Sequence, residues 1–267
     1  MQIAVIGGGV MGRALMQGFT RLEPRPEILL LEKDPDRARA VVDELGVVAI
    51  DSPQAVSDAD VILLAVKPQD FPSTLAAVGP HLRPGATVMS IAAGIRTDQL
   101  TEYIAQAGGP QVNIVRVMPN TPAQIGEGVM GISAAPTCSA QALDRAEMLM
   151  GTAGLVVVIP EEQQNLLTAI SGSGPAYVFL LAETLITAAV ARGMDAETAV
   201  ALVKQLLVGS AALYAQGDLG ADELRARVTS PGGTTAAAIS VFEAADLAGI
   251  VDAAVAANIA RSEELAQ

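Results

Sequence analysis
A doubly wound α/β sheet followed by an all-α domain is the architecture this sequence predicts, on three observations. Short continuous apolar runs alternate with helix-length segments through the first 160 residues, as in a parallel sheet covered on both faces. The first of these runs, QIAVI, feeds directly into GGGVMG and then into a helical stretch. Beyond Pro160 the strand-like runs stop, and long Ala/Leu/Val segments punctuated by glycine take over.

Gln2–Ile6 is the first expected strand, and RALMQGF after the glycines has helical periodicity. ILLLE at Ile28–Glu32 is the second strand. Asp34-Pro35 then supplies an N-cap and a first-turn proline for a helix running to about Leu45. Short strands follow at Val47–Ile50 and at VILLAV, Val61–Val66. Further strands are expected at Thr87–Ile91, Asn113–Met118 and Leu155–Ile159. Helix-length separations between strands imply parallel pairing throughout. The domain boundary is expected near residue 160, giving domains 1–160 and 161–267, the second without strands. Its segments Gln163–Arg192 and Asp195–Gln216 are expected to pair as antiparallel helices. Ala176–Ala191 carries Glu183 at its centre and follows Gly174-Pro175, which favours a buried helix over a membrane span. Apolar residues nearly all round these helices are what buried or interface helices carry.

Gly7-Gly8-Gly9-Val10-Met11-Gly12 fits G-x-G-x-x-G at Gly7, Gly9 and Gly12, between a strand and a helix. Gly7 permits the tight turn, Gly9 lets the backbone approach a pyrophosphate, and Gly12 lets helix and strand pack closely. The helix N-terminus then faces the anion. Glu32 ends the second strand 20 residues after Gly12, where a ribose-binding carboxylate belongs in a Rossmann-like domain. A carboxylate there favours NAD(H), while Lys33 and Arg37 lie close enough in sequence to offset its repulsion of a 2′-phosphate.

The stretch TSPGGTTAAAI at Thr229–Ile239 places a proline, two glycines and four hydroxyls ahead of a helix-forming run. A helix N-terminus presents unpaired N–H groups and roughly half a positive charge. Pro231 fixes the turn, and Gly232 and Gly233 bring backbone donors close with no Cβ in the way. Ser230, Thr234 and Thr235 add hydroxyls. Capping needs one such residue, so the two adjacent glycines favour a cradle for a carboxylate.

Composition limits the alternatives. The net charge of −13 speaks against nucleic acid and anionic lipid as partners. One cysteine, Cys138, excludes an internal disulfide, and a single histidine, His81, makes a His-based metal site or Ser-His-Asp triad improbable. No metal is expected. The first strand at Gln2 leaves no room for a signal peptide, so a soluble, cytoplasmic protein is expected.

Further phrases line up along the chain: AVKP (Ala65–Pro68), SIAAGI (Ser90–Ile95), RVMPNTP (Arg116–Pro122) and SGSGPAYVF (Ser171–Phe179). With TSPGGTTAAAI, in this order, they resemble the pyrroline-5-carboxylate reductase family over Ile3 to about Glu264. The resemblance implies reduction of 1-pyrroline-5-carboxylate to L-proline with NADPH or NADH as cofactor. It places Gly7, Gly8, Gly9, Val10, Met11 and Gly12 at the pyrophosphate, and Glu32, Lys33 and Ser52 on the adenosine side. Ala65, Val66, Lys67, Pro68, Ala92, Ala93 and Gly94 would line the ribose-nicotinamide side, with Asn120 nearby. Ser230, Gly232, Gly233, Thr234 and Thr235 would bind substrate, with Thr235 the catalytic residue against the imine. Ala226 departs from the family, whose members often carry an acidic residue there. The resemblance also implies a homodimer with intertwined C-terminal helices, often stacked into a decamer.

Imine chemistry suits a chain with one histidine. Carbonyl reduction wants a proton donor near neutral pKa, whereas an imine that arrives protonated needs only hydride. Thr235 would therefore orient the ring nitrogen, and catalysis would be mostly positioning. Three alternatives stay open: a reductase of another cyclic imino acid, a 3-hydroxyacid dehydrogenase and a nucleotide-sensing module. The second ordinarily wants a catalytic lysine after the boundary, and Gln163 to Leu180 contains none.

Overall fold
The computed structural model describes residues 1–265 of the 267. Two compact units make up the chain: Met1–Ser173 together with the stretch beginning at Asn258, and Gly174–Ala257.

The first unit is built on eight strands: β1 (Gln2–Ile6), β2 (Glu27–Leu31), β3 (Val48–Ile50), β4 (Val61–Leu64), β5 (Thr87–Ser90), β6 (Asn113–Met118), β7 (Gly128–Ala134) and β8 (Gly154–Val158). They form one sheet in the order β3-β2-β1-β4-β5-β6-β7-β8. The helices of this unit are α1 (Val10–Phe19), α2 (Pro35–Leu45), α3 (Phe71–Val78), α4 (Thr97–Gln106), α5 (Ala140–Met150) and α6 (Gln164–Leu167). The strand order reverses direction beside β1, where β2 lies on one side and β4 on the other. In such sheets, that reversal opens a crevice at the carboxyl ends of the strands.

Alternate residues of β1 feed two separate cores. Ile3 and Val5 join Leu15, Met16, Phe19 and Leu149 on one face, and Ala4 and Ile6 join Phe71, Leu75, Leu100 and Ile104 on the other. Burial on both faces is why the strand reads as a continuous apolar run. The second crossover begins as its sequence dictates: the Asp34 carboxylate accepts the Asp36 and Arg37 N–H groups at 3.1 Å each, and Pro35 follows. It ends on Gly46 in the left-handed region, φ 61°.

The sheet departs from expectation at β7, which was not foreseen and runs antiparallel to β6. A short 3-10 turn at Thr121–Ile125 joins the two strands, too little chain for the crossover that parallel pairing requires. The strand GVMGISA is disguised by its glycines. At Gly131 a Cβ would run into the Leu167 side chain, so α6 seats directly on the strand backbone. β8 then pairs parallel with β7 after the α5 crossover.

The α/β unit also continues past residue 160. The Glu161 carboxylate accepts the Thr97 N–H at 2.8 Å and the Thr97 Oγ1–H at 2.6 Å, and lies 3.4 Å from the Arg116 guanidinium. Gln164, fully buried, donates to the Gly131 carbonyl at 3.2 Å and to Ser133 Oγ at 2.8 Å. These polar anchors are invisible to hydropathy, which changes character earlier.

The second unit is helical: α7 (Gly174–Ala191), α8 (Ala196–Gln216), α9 (Ala221–Arg227), α10 (Thr234–Ala244) and the start of α11 (Leu247–Leu265). α7 and α8 pack on each other across the connector Arg192–Asp195, and Asp195 caps α8 through the Thr198 N–H at 3.0 Å. The helix expected to be buried is open within its own chain. No residue of α7 is buried, and Phe179 and Leu180 are 65% and 60% exposed. Val241 and Phe242 of α10 are exposed as well. By length and composition alone, the helical stretches 161–191 and 196–216 are also apolar enough to cross a membrane.

Candidate active site
The glycine turn is built as its spacing demands. Gly7 adopts φ 103°, and a Cβ there would lie 2.6 Å from the Ala65 carbonyl oxygen. A Cβ on Gly12 would strike the Gly7 carbonyl oxygen, so α1 rises directly off the turn. Gly9 differs, since nothing lies within 4 Å of where its Cβ would be. It is the N-cap of α1 and brings no capping side chain. The first N–H groups of α1, at Val10 and Met11, have no carbonyl partner inside the helix, and the space at Gly9 just before them is open. An anion fits there, and a helix N-terminus favours one.

Beside this turn lies an open cleft of about 610 Å³, lined by Gly7, Gly9, Glu32, Lys33, Arg37, Ala65, Val66 and Lys67. A second cavity of about 410 Å³, lined by Gly8, Gly9, Val10 and Arg13, adjoins it at Gly9 and Arg37. The topology thus gathers residues from the carboxyl ends of β1, β2 and β4. Pro68 starts the 3-10 turn after Lys67, and Ala92, Ala93 and Gly94 form the loop after β5 on the same sheet edge. Neither cavity reaches these four residues. Ser52 caps a 3-10 turn through the Gln54 N–H and also lies outside both cavities. One wall of the large cleft, formed by Gln69 before α3 and by Ser73, Thr74 and Ala77 along it, carried no signal in the sequence. A surface that only has to be the right shape leaves no motif.

Glu32 is held tightly. Its Oε2 accepts the Gly8 N–H at 2.7 Å, and its Oε1 accepts the Asp34 N–H at 2.9 Å and lies 3.3 Å from Arg37. Burial pushes its pKa up, but the hydrogen bonds from Asp34 and Gly8 and the Arg37 charge outweigh it and leave the value below the usual carboxylate range. The stabilisation this represents is fully present above the ordinary carboxylate pKa and is lost as pH falls through the lowered value.

Asn120 is occupied differently from the cofactor-side role expected of it. Its Oδ1 accepts the Val129 N–H at 2.8 Å, and its Nδ2 donates to the Ser171 carbonyl at 3.0 Å. Both ends of the carboxamide are thus engaged by the protein, tying the start of β7 to the turn after α6. Arg116, 3% exposed and paired with Glu161, is likewise part of the frame.

In the helical unit, the loop before α10 turns on Gly232 at φ 69°, with the Gly233 N–H bonded to the Ser230 carbonyl at 3.0 Å. Gly233 is the N-cap of α10 and offers no side chain. A Cβ there would lie 2.5 Å from Ser230 Oγ. Despite the nearby hydroxyls, none caps the helix. Among the described residues, Ser230, Thr234 and Thr235 find no side-chain hydrogen-bond partner, and all three are exposed. Thr229 instead donates to the Arg225 carbonyl at 2.7 Å. The helix start therefore presents free N–H groups and three unengaged hydroxyls, a set of donors suited to a carboxylate. No cluster of three His, Cys, Asp or Glu able to hold a metal ion occurs among the described residues.

Residues 161–265 match the family model described as pyrroline-5-carboxylate reductase dimerisation, and residues 2–94 match one described as NADP oxidoreductase coenzyme F420-dependent. The pyrroline-5-carboxylate reductase of Pseudomonas aeruginosa is 37% identical over 270 residues, spanning 100% of this chain and 97% of its own. The chain belongs to the pyrroline-5-carboxylate reductase family. The family member from Mycobacterium leprae is also 37% identical, over 99% of this chain and 96% of its own. Among solved structures, the family member from Coxiella burnetii superposes with a TM-score of 0.92 at 33% identity, covering 99% and 98% of the two chains. The Plasmodium falciparum pyrroline carboxylate reductase, solved with NADP bound, gives 0.84 at 28% identity over 100% and 98%. A 3-hydroxyisobutyrate dehydrogenase from Mycobacterium tuberculosis, at 16% identity and a TM-score of 0.53, shares the fold alone.

Proposed function
We propose that this protein adds hydride and a proton across the C=N bond of 1-pyrroline-5-carboxylate, giving L-proline, the last step of proline biosynthesis. NAD(P)H, when bound, supplies the hydride. Family membership over the full chain supports the activity, and the uncapped start of α10 with three free hydroxyls is the observation that carries it to particular residues.

Residues 1–160 hold the dinucleotide, and the chain from 161 onward carries the substrate loop and the contacts between subunits. The first N–H groups of α1, at Val10 and Met11 beside Gly9, hold the pyrophosphate. Gly7, Gly8 and Gly12 shape the turn beneath them. Glu32, Lys33 and Ser52 lie on the adenosine side, and Ala65–Pro68 with Ala92–Gly94 on the nicotinamide side. The free backbone donors of Gly232 and Thr234, with the Ser230 hydroxyl, hold the substrate carboxylate in the turn that Gly233 closes. Thr235 keeps its hydroxyl on the ring nitrogen. Hydride reaching the carbon of an N-protonated imine neutralises the iminium and leaves its proton on the amine nitrogen, so no residue has to act as a strong acid.

Steady-state rates with three substrates test this. NADH or NADPH oxidation should be fastest with 1-pyrroline-5-carboxylate and slower with the six-membered piperideine carboxylate. NAD(P)⁺ reduction by 3-hydroxyisobutyrate should be undetectable. Faster turnover of either competitor would overturn the assignment.

The protein is a homo-oligomer acting on a small molecule. Its exposed apolar helices fall within the region matched by the dimerisation model, so their surface goes to another copy and not to lipid. We propose a homodimer with intertwined C-terminal helices, the unit from which the family's decamers are stacked, in the cytoplasm. Sedimentation velocity should show a dimer or its multiples, and a stable, active monomer would contradict the shared architecture.

A further inference from the structure
The corner of the large cleft at Glu32 has its charges locked in pairs. Lys33 and Arg37 are the two cations there that a ligand phosphate would need, and both already face carboxylates. Lys33 Nζ lies 3.6 Å from Asp70, and Arg37 lies 3.3 Å from Glu32 and 3.3 Å from Asp34. Each of these two cations is thus already paired with a carboxylate of the same corner. Glu32, whose side chain is 4% exposed, cannot swing aside without leaving the Gly8 and Asp34 N–H groups unpaired. Nor does protonation relieve it, because the same bonds hold its pKa below the usual range. A fixed carboxylate accepts hydrogen bonds from a ribose diol and repels a phosphate dianion.

We propose that Glu32, clamped by Gly8 and Asp34, excludes a 2′-phosphate from this cleft, so that the enzyme takes NADH in preference to NADPH. This rests on the cleft being the NAD(P)H site. The sequence alone left Lys33 and Arg37 free to offset the carboxylate, whereas in the structure each is engaged with the acidic residues around it.

Calorimetric titration of the full-length protein, without substrate, provides the test. NADH should bind about tenfold or more tightly than NADPH, and 5′-AMP should be favoured likewise over adenosine 2′,5′-bisphosphate. In Glu32→Ser the NADH preference should fall by about tenfold or more, provided its far-ultraviolet circular dichroism matches the parent. Equal or tighter NADPH binding by the parent, or an unchanged ratio in folded Glu32→Ser, would overturn the proposal. Failure to bind AMP or either dinucleotide would overturn the nucleotide site itself, a result separable from an inverted ratio.

Discussion

Replacing Thr235 by alanine should lower turnover by about 10² to 10³, the loss typical of removing one hydrogen bond to a reacting group. The affinity for NADH, measured by fluorescence titration, should stay near that of the parent. Thr235 stands in the first turn of α10, exposed, with a hydroxyl that no protein group engages. Alanine is the better helix former and leaves no buried group unsatisfied, so an effect through folding is not expected. The loss should fall mainly on kcat, because the carboxylate is held by neighbouring backbone donors that the substitution leaves in place. Thr235→Ser should recover much of the rate. Near-normal turnover of the alanine variant would remove Thr235 from the chemistry.

Gly12→Val should abolish nucleotide binding and lower the melting temperature together. The new Cβ meets the Gly7 carbonyl oxygen, a main-chain atom that cannot rotate away, and lies 3.1 Å from Ala65 Cβ. Overpacking of this kind costs about 1–3 kcal/mol, and relieving it pushes α1 off the turn that aims its N–H groups. Gly9→Ala separates the two consequences. No protein atom lies within 4 Å of that Cβ, so stability should hold while the approach of a pyrophosphate suffers. A Gly12→Val protein that melts and binds like the parent would show that close packing at this turn is not required.

How far the sequence reaches can be judged from particular residues. β1, the glycine turn, the Asp34 cap and the helix to Leu45 were all legible, because each rests on local chemistry within a few residues. β7 was not. Its glycines serve the neighbouring Leu167 and Ala123 side chains, contacts that only the tertiary structure creates. The continuation of the α/β unit to Ser173 was hidden for the same reason, since Glu161 and Gln164 act on partners 31 to 64 residues away. At the site, motif spacing put Gly7, Gly9 and Glu32 together and the structure has them on one cleft, whereas the two hydrogen bonds of Asn120 to Val129 and Ser171 could not be read from its motif. The residues before α10 were read from composition, and the structure adds that none of their hydroxyls caps the helix.

In the proposed dimer a second chain completes the burial of the bare apolar sides of α7 and α10, so dilution should act as a denaturant for this protein. Part of the free energy that holds the fold together would then scale with the logarithm of subunit concentration. A newly made chain is at its most aggregation-prone in the interval before it meets its twin.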